Sequence, residues 1–260
     1  MESRRIRRAL IPAAGNGTRM GAMTRAIPKE LLPLVDRPAL DWIITECLEA
    51  GVAEIAIITS EYKKPIFQRH LHGYFPEITF TYIIQESANG LGGAILCGEQ
   101  WAGTDAFLVL LPDDLVLNEN ISLKLTENYE ENGRSVISLS QSPEELLENY
   151  GVAAVQIPDV GQVIVTDLVE KPRRGSAPSN FSVNGRYLLT SDIWAALKSP
   201  NNFQLGEIQL TPALATVAKS SGLFGVETTG IRCDLGNPPS WLRSNNLFAR
   251  SLVNSPEGIK

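Results

Sequence analysis

Two histidines and three cysteines in 260 residues leave few side chains for transition-metal ligation or nucleophilic catalysis. His70 and His72 form an H-x-H pair with no third ligand nearby, and they read as a solvated surface pair. Neither a Ser–His–Asp nor a Cys–His set can be assembled. Cys47, Cys97 and Cys233 are far apart and form no C-x-x-C pair, which favours free thiols in a reducing compartment over a disulfide framework. A basic surplus is also missing. The net charge of −6 argues against a general nucleic-acid binder, although screening leaves anionic small substrates open, since only the residues lining a site count. No apolar run reaches the length of a membrane span. The basic start MESRRIRR lacks the apolar stretch of a secretory or twin-arginine signal and reads as a solvated leader to the first strand. A cytoplasmic protein without a nucleic-acid or membrane partner is expected. G-x-x-x-x-G-K-[ST] occurs nowhere, and the dinucleotide fingerprint fails because Met20 stands where its third glycine belongs.

What is present suits a globular α/β protein. Apolar residues make up 43% and charged residues 20% of a chain long enough for a sizeable core. Apolar runs at 9–11, 54–59, 80–85 and 106–111 read as strands. Helical spacing over Leu40, Ile43, Ile44, Cys47 and Leu48 closes at Gly51, and further helical stretches lie at 66–71, 90–101 and 123–132. With a strand at 135–140, this alternation implies βαβ units. The character changes at Gly151, with strands at 151–156, 163–170 and 183–189 and a turn at 158–161. A helix at 210–218, a strand at 223–227 and a closing helix at 239–252 follow. The expected fold class is α/β: a Rossmann-like, mostly parallel mixed sheet flanked by helices, with a smaller antiparallel portion. No repeat or low-complexity linker divides the chain, and a single domain over residues 1–260 is expected.

One stretch concentrates the chemistry, from Ala9 to Pro38: ALIPAAGNGTRMGAMTRAIPKELLPLVDRP. A strand enters the turn Gly15-Asn16-Gly17, where two glycines let the backbone approach a ligand without Cβ clashes. Thr18 and Arg19 follow, and Lys29 and Glu30 lie on a segment stiffened by Pro28, Pro33 and Pro38. Peptide N–H groups, a guanidinium and an ammonium in one place suit several phosphate oxygens. A bare G-x-G favours an ordinary strand-to-loop turn with incidental basic residues. The longer string, A-G-x-G-T-R-M followed by T-R-A-I-P-K-E-L-L-P, is far more specific.

That string resembles the signature of sugar-1-phosphate nucleotidylyltransferases, and above all of the bacterial UTP–glucose-1-phosphate uridylyltransferase family. The resemblance runs from about Arg8 to Phe248. It implies a nucleotide-diphospho-sugar transferase fold, with about 8–140 binding the nucleotide and about 141–252 the sugar phosphate. It also implies Mg²⁺ as cofactor, UTP and a sugar 1-phosphate as substrates, and a homo-oligomer, dimer or tetramer. Its nucleotide site falls on Ala14, Gly15, Gly17, Thr18, Arg19, Lys29 and Glu30, with Gln85 and Gly90 reading the base. A carboxamide can both accept from the uracil N–H and donate to its carbonyl. Asp113, at the end of a buried strand, would hold Mg²⁺ and face the sugar phosphate, with Asp234 as second carboxylate. An Asp at a strand end is otherwise a common turn former. The sugar side falls on Gly151, Glu170, Lys171, Asn184 and Gly185; each alone reads better as a solvated loop residue, and their occurrence together and in family order carries the resemblance. The chain departs from the family pattern at Gly21-Ala22, Gly93 and Pro212 and is shorter between Thr59 and Phe80.

The implied reaction needs no general base, because the sugar-phosphate oxygen is already anionic when it attacks the α-phosphorus. Two polyanions must meet, so positioning and charge neutralisation should dominate. The catalytic set expected on this reading is Arg19, Lys29, Asp113 and Lys171. Three alternatives stay open here. One is the same chemistry with dTTP or another sugar 1-phosphate; another is a catalytically silent nucleotide-sugar-binding regulator. The third, a dinucleotide-dependent oxidoreductase, is weakened by the missing fingerprint.

Overall fold

The first strand already shows how the sheet is sandwiched. Its Ala9 and Ile11 enter one core while Leu10 enters the other, as the two-residue period of a strand requires. A computed structural model describes residues 4–158, 162–204 and 206–254. In chain order the strands are β1 (Arg8–Pro12), β2 (Glu54–Thr59), β3 (Thr79–Ile84), β4 (Phe107–Leu110), β5 (Asp114–Leu117) and β6 (Ser135–Gln141). Then follow β7 (Gly151–Gln156), β8 (Val163–Glu170), β9 (Phe181–Leu189), β10 (Leu223–Glu227) and β11 (Ile231–Asp234). Among the described residues a nine-stranded sheet runs β3-β2-β1-β4-β9-β6-β10-β8-β7. Only β8 and β9 run against the other seven.

The helices are α1 (Ala39–Glu49), α2 (Lys64–Leu71), α3 (Gly90–Cys97), α4 (Ile121–Asn132), α5 (Asp192–Leu197), α6 (Leu210–Ser220) and α7 (Pro238–Asn254). Leu40 and Ile43 of α1, Leu125 of α4 and Phe248 of α7 pack into one core. Ile95 of α3, Ile193 of α5 and Leu214 of α6 pack into the other. The mixed α/β sheet expected from the sequence is the architecture found. Its two halves share one sheet, with β9 buried along its whole length at the centre. At the far end β7 pairs with both β8 and β9, Val152 lying opposite Ser182.

Several local expectations shift. The helix expected over 90–101 stops at Cys97 and restarts as one turn, Glu99–Ala102. Gly98 sits against Leu10 where no side chain fits, and glycine there weakens the helix. Helix α4 begins two residues before Leu123, because Asn120 caps it through Oδ1 at 2.9 Å from the Leu123 N–H. The ribbon of β5 and β11 had no local signal, being two four-residue strands from distant parts of the chain. The turn expected at 158–161 lies mostly at 159–161, outside the described residues. The basic leader exposes Arg4, Arg5 and Arg7, as expected, while Arg8 at the start of β1 bonds Asp105 at 2.8 Å and Glu54 at 3.2 Å. Arg4 lies over Gly133 at the end of α4, where helix carbonyls favour a cation.

His70 Nε2 lies 2.6 Å from Asp41, and no group of three His, Cys, Asp or Glu that could hold a metal occurs among the described residues. All three cysteines are free. Among the described residues no helix is long and apolar enough to cross a membrane.

Candidate active site

The carboxyl ends of β1 to β4 lie side by side, and each releases a loop into the same space, the usual ligand position in such sheets. From β1 the chain is pinned by Ala13 N–H on the Ile58 carbonyl at 2.7 Å. It then passes Ala14 and Gly15 to Gly17, whose φ of 65° is left-handed. A Cβ on Gly17 would touch the Lys29 Cβ at 3.5 Å, so this glycine lets the loop rest on Lys29. The Thr24 hydroxyl donates to the Gly17 carbonyl at 3.0 Å, and buried Met20 anchors the short 3₁₀ segment that follows. Gly15, Thr18 and Arg19 remain exposed.

Lys29 Nζ donates to Asp113 Oδ2 at 2.5 Å, and Arg19 Nη2 stands 4.0 Å from the same oxygen. Burial works against the charge on Lys29, but Asp113 and Glu30 outweigh it and hold the ammonium above the ordinary lysine value. Burial likewise opposes ionisation of Asp113, yet Lys29 and then Arg19 hold its carboxyl below the ordinary range. The site is therefore charged before any ligand arrives.

Glu30 does not face this space. It is 1% exposed, and both its oxygens bond Lys63 Nζ at 3.0 and 3.1 Å. Direct contact with a nucleotide, expected from the sequence, gives way to a supporting role under the loop. Lys63 also donates to the carbonyls of Ala13 at 2.9 Å and Gly15 at 2.5 Å. Burial pushes the Glu30 carboxyl up and the Lys63 ammonium down, each restrained by the other. Sequence reading missed Lys63, since nothing local marks a lysine at the foot of α2 as the staple of a distant glycine turn.

Gln85, just past β3, donates through Nε2 to Asn89 Oδ1 at 2.7 Å and towards the Gly90 carbonyl at 3.4 Å. Gly90 has φ 87°, and a Cβ there would press on Glu207 Cβ at 2.8 Å. The hairpin Phe203–Gln204/Glu207–Ile208 therefore closes over the start of α3, held by Ile208 N–H on the Asn89 carbonyl at 2.7 Å.

On the other side of the cleft, Gly151, Glu170 and Thr211 meet. The Thr211 hydroxyl donates to Glu170 Oε2 at 2.5 Å, and a Cβ on Gly151 would lie 3.0 Å from Thr211 Oγ1. Lys171 has φ 44°, unusual for a residue with a side chain. Its N–H bonds the Tyr150 carbonyl at 3.0 Å, and its ammonium lies 3.7 Å from Glu170. Strain of this kind collects at functional positions.

Asn184 and Gly185 lie beneath the cleft rather than on its wall, contrary to the sugar contact expected of them. Asn184 is 1% exposed, its Nδ2 among the hydroxyls of Ser138, Ser140 and Thr228, while its Oδ1 is buried without a partner. Gly185 N–H donates to Asp114 Oδ2 at 2.8 Å, and a Cβ there would strike Leu111 and Asp114. Gly185 shapes the turn that carries Asp113, its carbonyl accepting from Leu111 N–H at 2.8 Å. Arg186 braces it from below, donating to the Asp114 carbonyl at 2.6 Å and to Glu46 at 2.7 Å.

Asp114 in turn takes both arms of Arg232, at 3.0 and 2.6 Å, and the Arg232 guanidinium lies 4.1 Å from the Tyr150 ring centroid. A continuous line of contacts thus joins Lys29 and Asp113 to Tyr150 and Lys171. Asp234, expected as a metal ligand, is brought beside Asp113 by the β5–β11 ribbon, with Leu235 N–H on the Asp113 carbonyl at 2.8 Å. Its Oδ1 accepts from Gly236 N–H at 2.7 Å. Carboxylates at strand ends are the ligand type that Mg²⁺ takes, with the rest of its shell from phosphates and water.

A glycine turn, paired cations and strand-end carboxylates stand together at one edge of a mixed sheet, and the family model described as "Nucleotidyl transferase" matches residues 8–251. The chain belongs to the UTP–glucose-1-phosphate uridylyltransferase family. It is 35% identical to UTP–glucose-1-phosphate uridylyltransferase 2 of Staphylococcus saprophyticus, covering 95% of this chain and 93% of that protein. It is 35% identical to the uridylyltransferase of Bacillus subtilis, covering 95% and 92%. A UDP-glucose pyrophosphorylase solved with UDP-glucose superposes with a TM-score of 0.88 at 32% identity, covering 95% and 99%. The UTP-bound enzyme of Acinetobacter baumannii superposes with a TM-score of 0.82 at 28% identity, covering 97% and 95%.

Proposed function

We propose that this enzyme transfers the uridylyl group of UTP to glucose 1-phosphate, giving UDP-glucose and pyrophosphate. The observation that carries the reading is the charged cluster of Lys29, Arg19 and Asp113 against the Gly15–Gly17 turn. Relatives named for this reaction, and a similar enzyme solved with UDP-glucose, support the choice of substrates.

A phosphate oxygen of glucose 1-phosphate attacks the α-phosphorus of UTP. The new P–O bond forms as the bond to the β-phosphate oxygen breaks, and pyrophosphate leaves with that electron pair. No proton has to be removed from the nucleophile. Lys29 and Arg19 hold the triphosphate and neutralise charge that builds on the leaving group. Lys171 brings in the second anion, and Glu170 with Thr211 accepts the sugar hydroxyls beside Gly151. Gln85 and Gly90 take the base. Mg²⁺, held by Asp113 with Asp234 beside it, would screen the phosphates when bound.

The same reading includes a homo-oligomer, dimer or tetramer. It also includes a cytoplasmic setting, which the three free thiols support. Residues 8–140 bind the nucleotide and 141–252 the sugar phosphate. Pyrophosphate release over a matrix of nucleoside triphosphates and sugar 1-phosphates tests it, with UTP and glucose 1-phosphate expected to give the highest kcat/KM. A faster pair with dTTP or another sugar would reassign the substrates. UTP binding with no pyrophosphate from any pair would make the protein a silent binder.

A further inference from the structure

We propose that Asn89 is a positioning residue that fixes the Gln85 carboxamide in one of its two orientations and so selects a uracil-type base over cytosine. The inference rests on Gln85 as the base reader.

A carboxamide is ambiguous by nature, since rotating it by half a turn exchanges donor and acceptor. Uracil offers a ring N–H, whereas cytosine has a bare ring nitrogen at the same place beside an amino group. A freely turning glutamine could therefore satisfy either edge. In this chain it is not free. Gln85 Nε2 donates to Asn89 Oδ1 at 2.7 Å, and the Gly90 carbonyl stands 3.4 Å away on the same side. Turning the amide over would set Gln85 Oε1 against the Gly90 carbonyl, which cannot reverse, and against the Asn89 oxygen it now faces. The NH₂ end is thereby held to the start of α3, and Oε1 is left as the acceptor shown to a ligand. That matches the N–H of uracil or thymine and repels the ring nitrogen of cytosine.

Three further features show that the arrangement is built. Asn89 is the residue before the first turn of α3, where an asparagine normally accepts a backbone N–H as a cap. Its side chain makes no capping bond here and turns to Gln85 instead. Its backbone is fixed at both ends, N–H on the Ser87 carbonyl at 2.8 Å and carbonyl on Ile208 N–H at 2.7 Å. Room for the amide comes from Gly93, where an added Cβ would overlap the Asn89 side chain.

The test compares kcat/KM for UTP with that for CTP in the full-length enzyme and in Gln85→Ala, Asn89→Ala and Asn89→Asp. Losing one oriented hydrogen bond should lower the UTP preference of Asn89→Ala at least about fivefold. Asn89→Asp still offers an acceptor, so its preference should stay close to that of the unaltered enzyme. A merely structural role for Asn89 would lower both rates together and leave the ratio alone. If Gln85→Ala collapses the ratio while Asn89→Ala keeps it, or if Asn89→Asp falls as far as Asn89→Ala, the positioning role is wrong and the base reader stands. If Gln85→Ala itself leaves the ratio unchanged, the base-reading assignment fails with it.

Discussion

Lys29 and Asp113 face each other at 2.5 Å with their ionisation pushed in opposite directions, the carboxyl down and the ammonium up. A depressed carboxyl adds stability above its ordinary value and loses it as pH falls through the folded value. A raised lysine adds stability below its ordinary value and loses it as pH rises through the folded value. Neither group should titrate near neutrality. The unfolding free-energy difference between the native chain and Asp113→Asn should therefore be flat through neutral pH and shrink only below about pH 4. Urea unfolding at several pH values checks this, and convergence already near pH 6 would contradict it. Lys29→Ala and Lys171→Ala should fold and lose about 10²–10³ in turnover, as when an electrostatic stabiliser is removed. Near-native turnover in either would take that residue out of the mechanism. Glu30 and Lys63 behave differently, because their charges are buried. Glu30→Gln leaves the Lys63 ammonium without its counter-charge and should cost about 3–5 kcal/mol in urea unfolding, while Glu30→Met with Lys63→Met should recover part of that loss.

Glycines set the contacts between elements. Gly90 carries φ 87°, and Glu207 crosses it at a distance a Cβ would shorten to 2.8 Å. Gly90→Ala should push the 203–208 hairpin away from α3 and raise the KM for the triphosphate more than that for the sugar phosphate. Equal rises would show that the hairpin serves both substrates. This scale also separates what was legible in the sequence from what was not. Strands β1 and β4 and the turn at Gly15–Gly17 were readable because apolar runs and close glycines are local signals. Arg19, Lys29 and Asp113 came with them and are brought together. The β5–β11 ribbon could not be read, because its pairing partners are distant and each strand is four residues long. Glu30, Asn184 and Gly185 were misplaced for a related reason. A polar residue beside a site can line the cleft or brace its floor, and only the packing of Lys63, Ser138 and Leu111 around them decides which.

Across the whole molecule, the two regions proposed to hold the substrates are joined by Arg232. Its guanidinium grips Asp114 with both arms, reaches the Ser182 hydroxyl at 3.4 Å and covers the Tyr150 ring. Asp114 is the neighbour of Asp113 on the side proposed for the triphosphate, and the Tyr150 carbonyl holds Lys171 on the side proposed for the sugar. Burial disfavours the guanidinium, but Asp114 more than compensates and raises its pKa. Removing this residue should loosen both regions at once. Arg232→Met should raise the KM of each substrate about tenfold, the scale expected for losing charged hydrogen bonds. Arg232→Lys keeps the charge but lacks the planar fork, and should fall between the two. Initial-rate measurements with each substrate varied in turn decide the matter. If only one KM moves, Arg232 serves a single region, and the line of contacts from Lys29 to Lys171 does not couple the two anions.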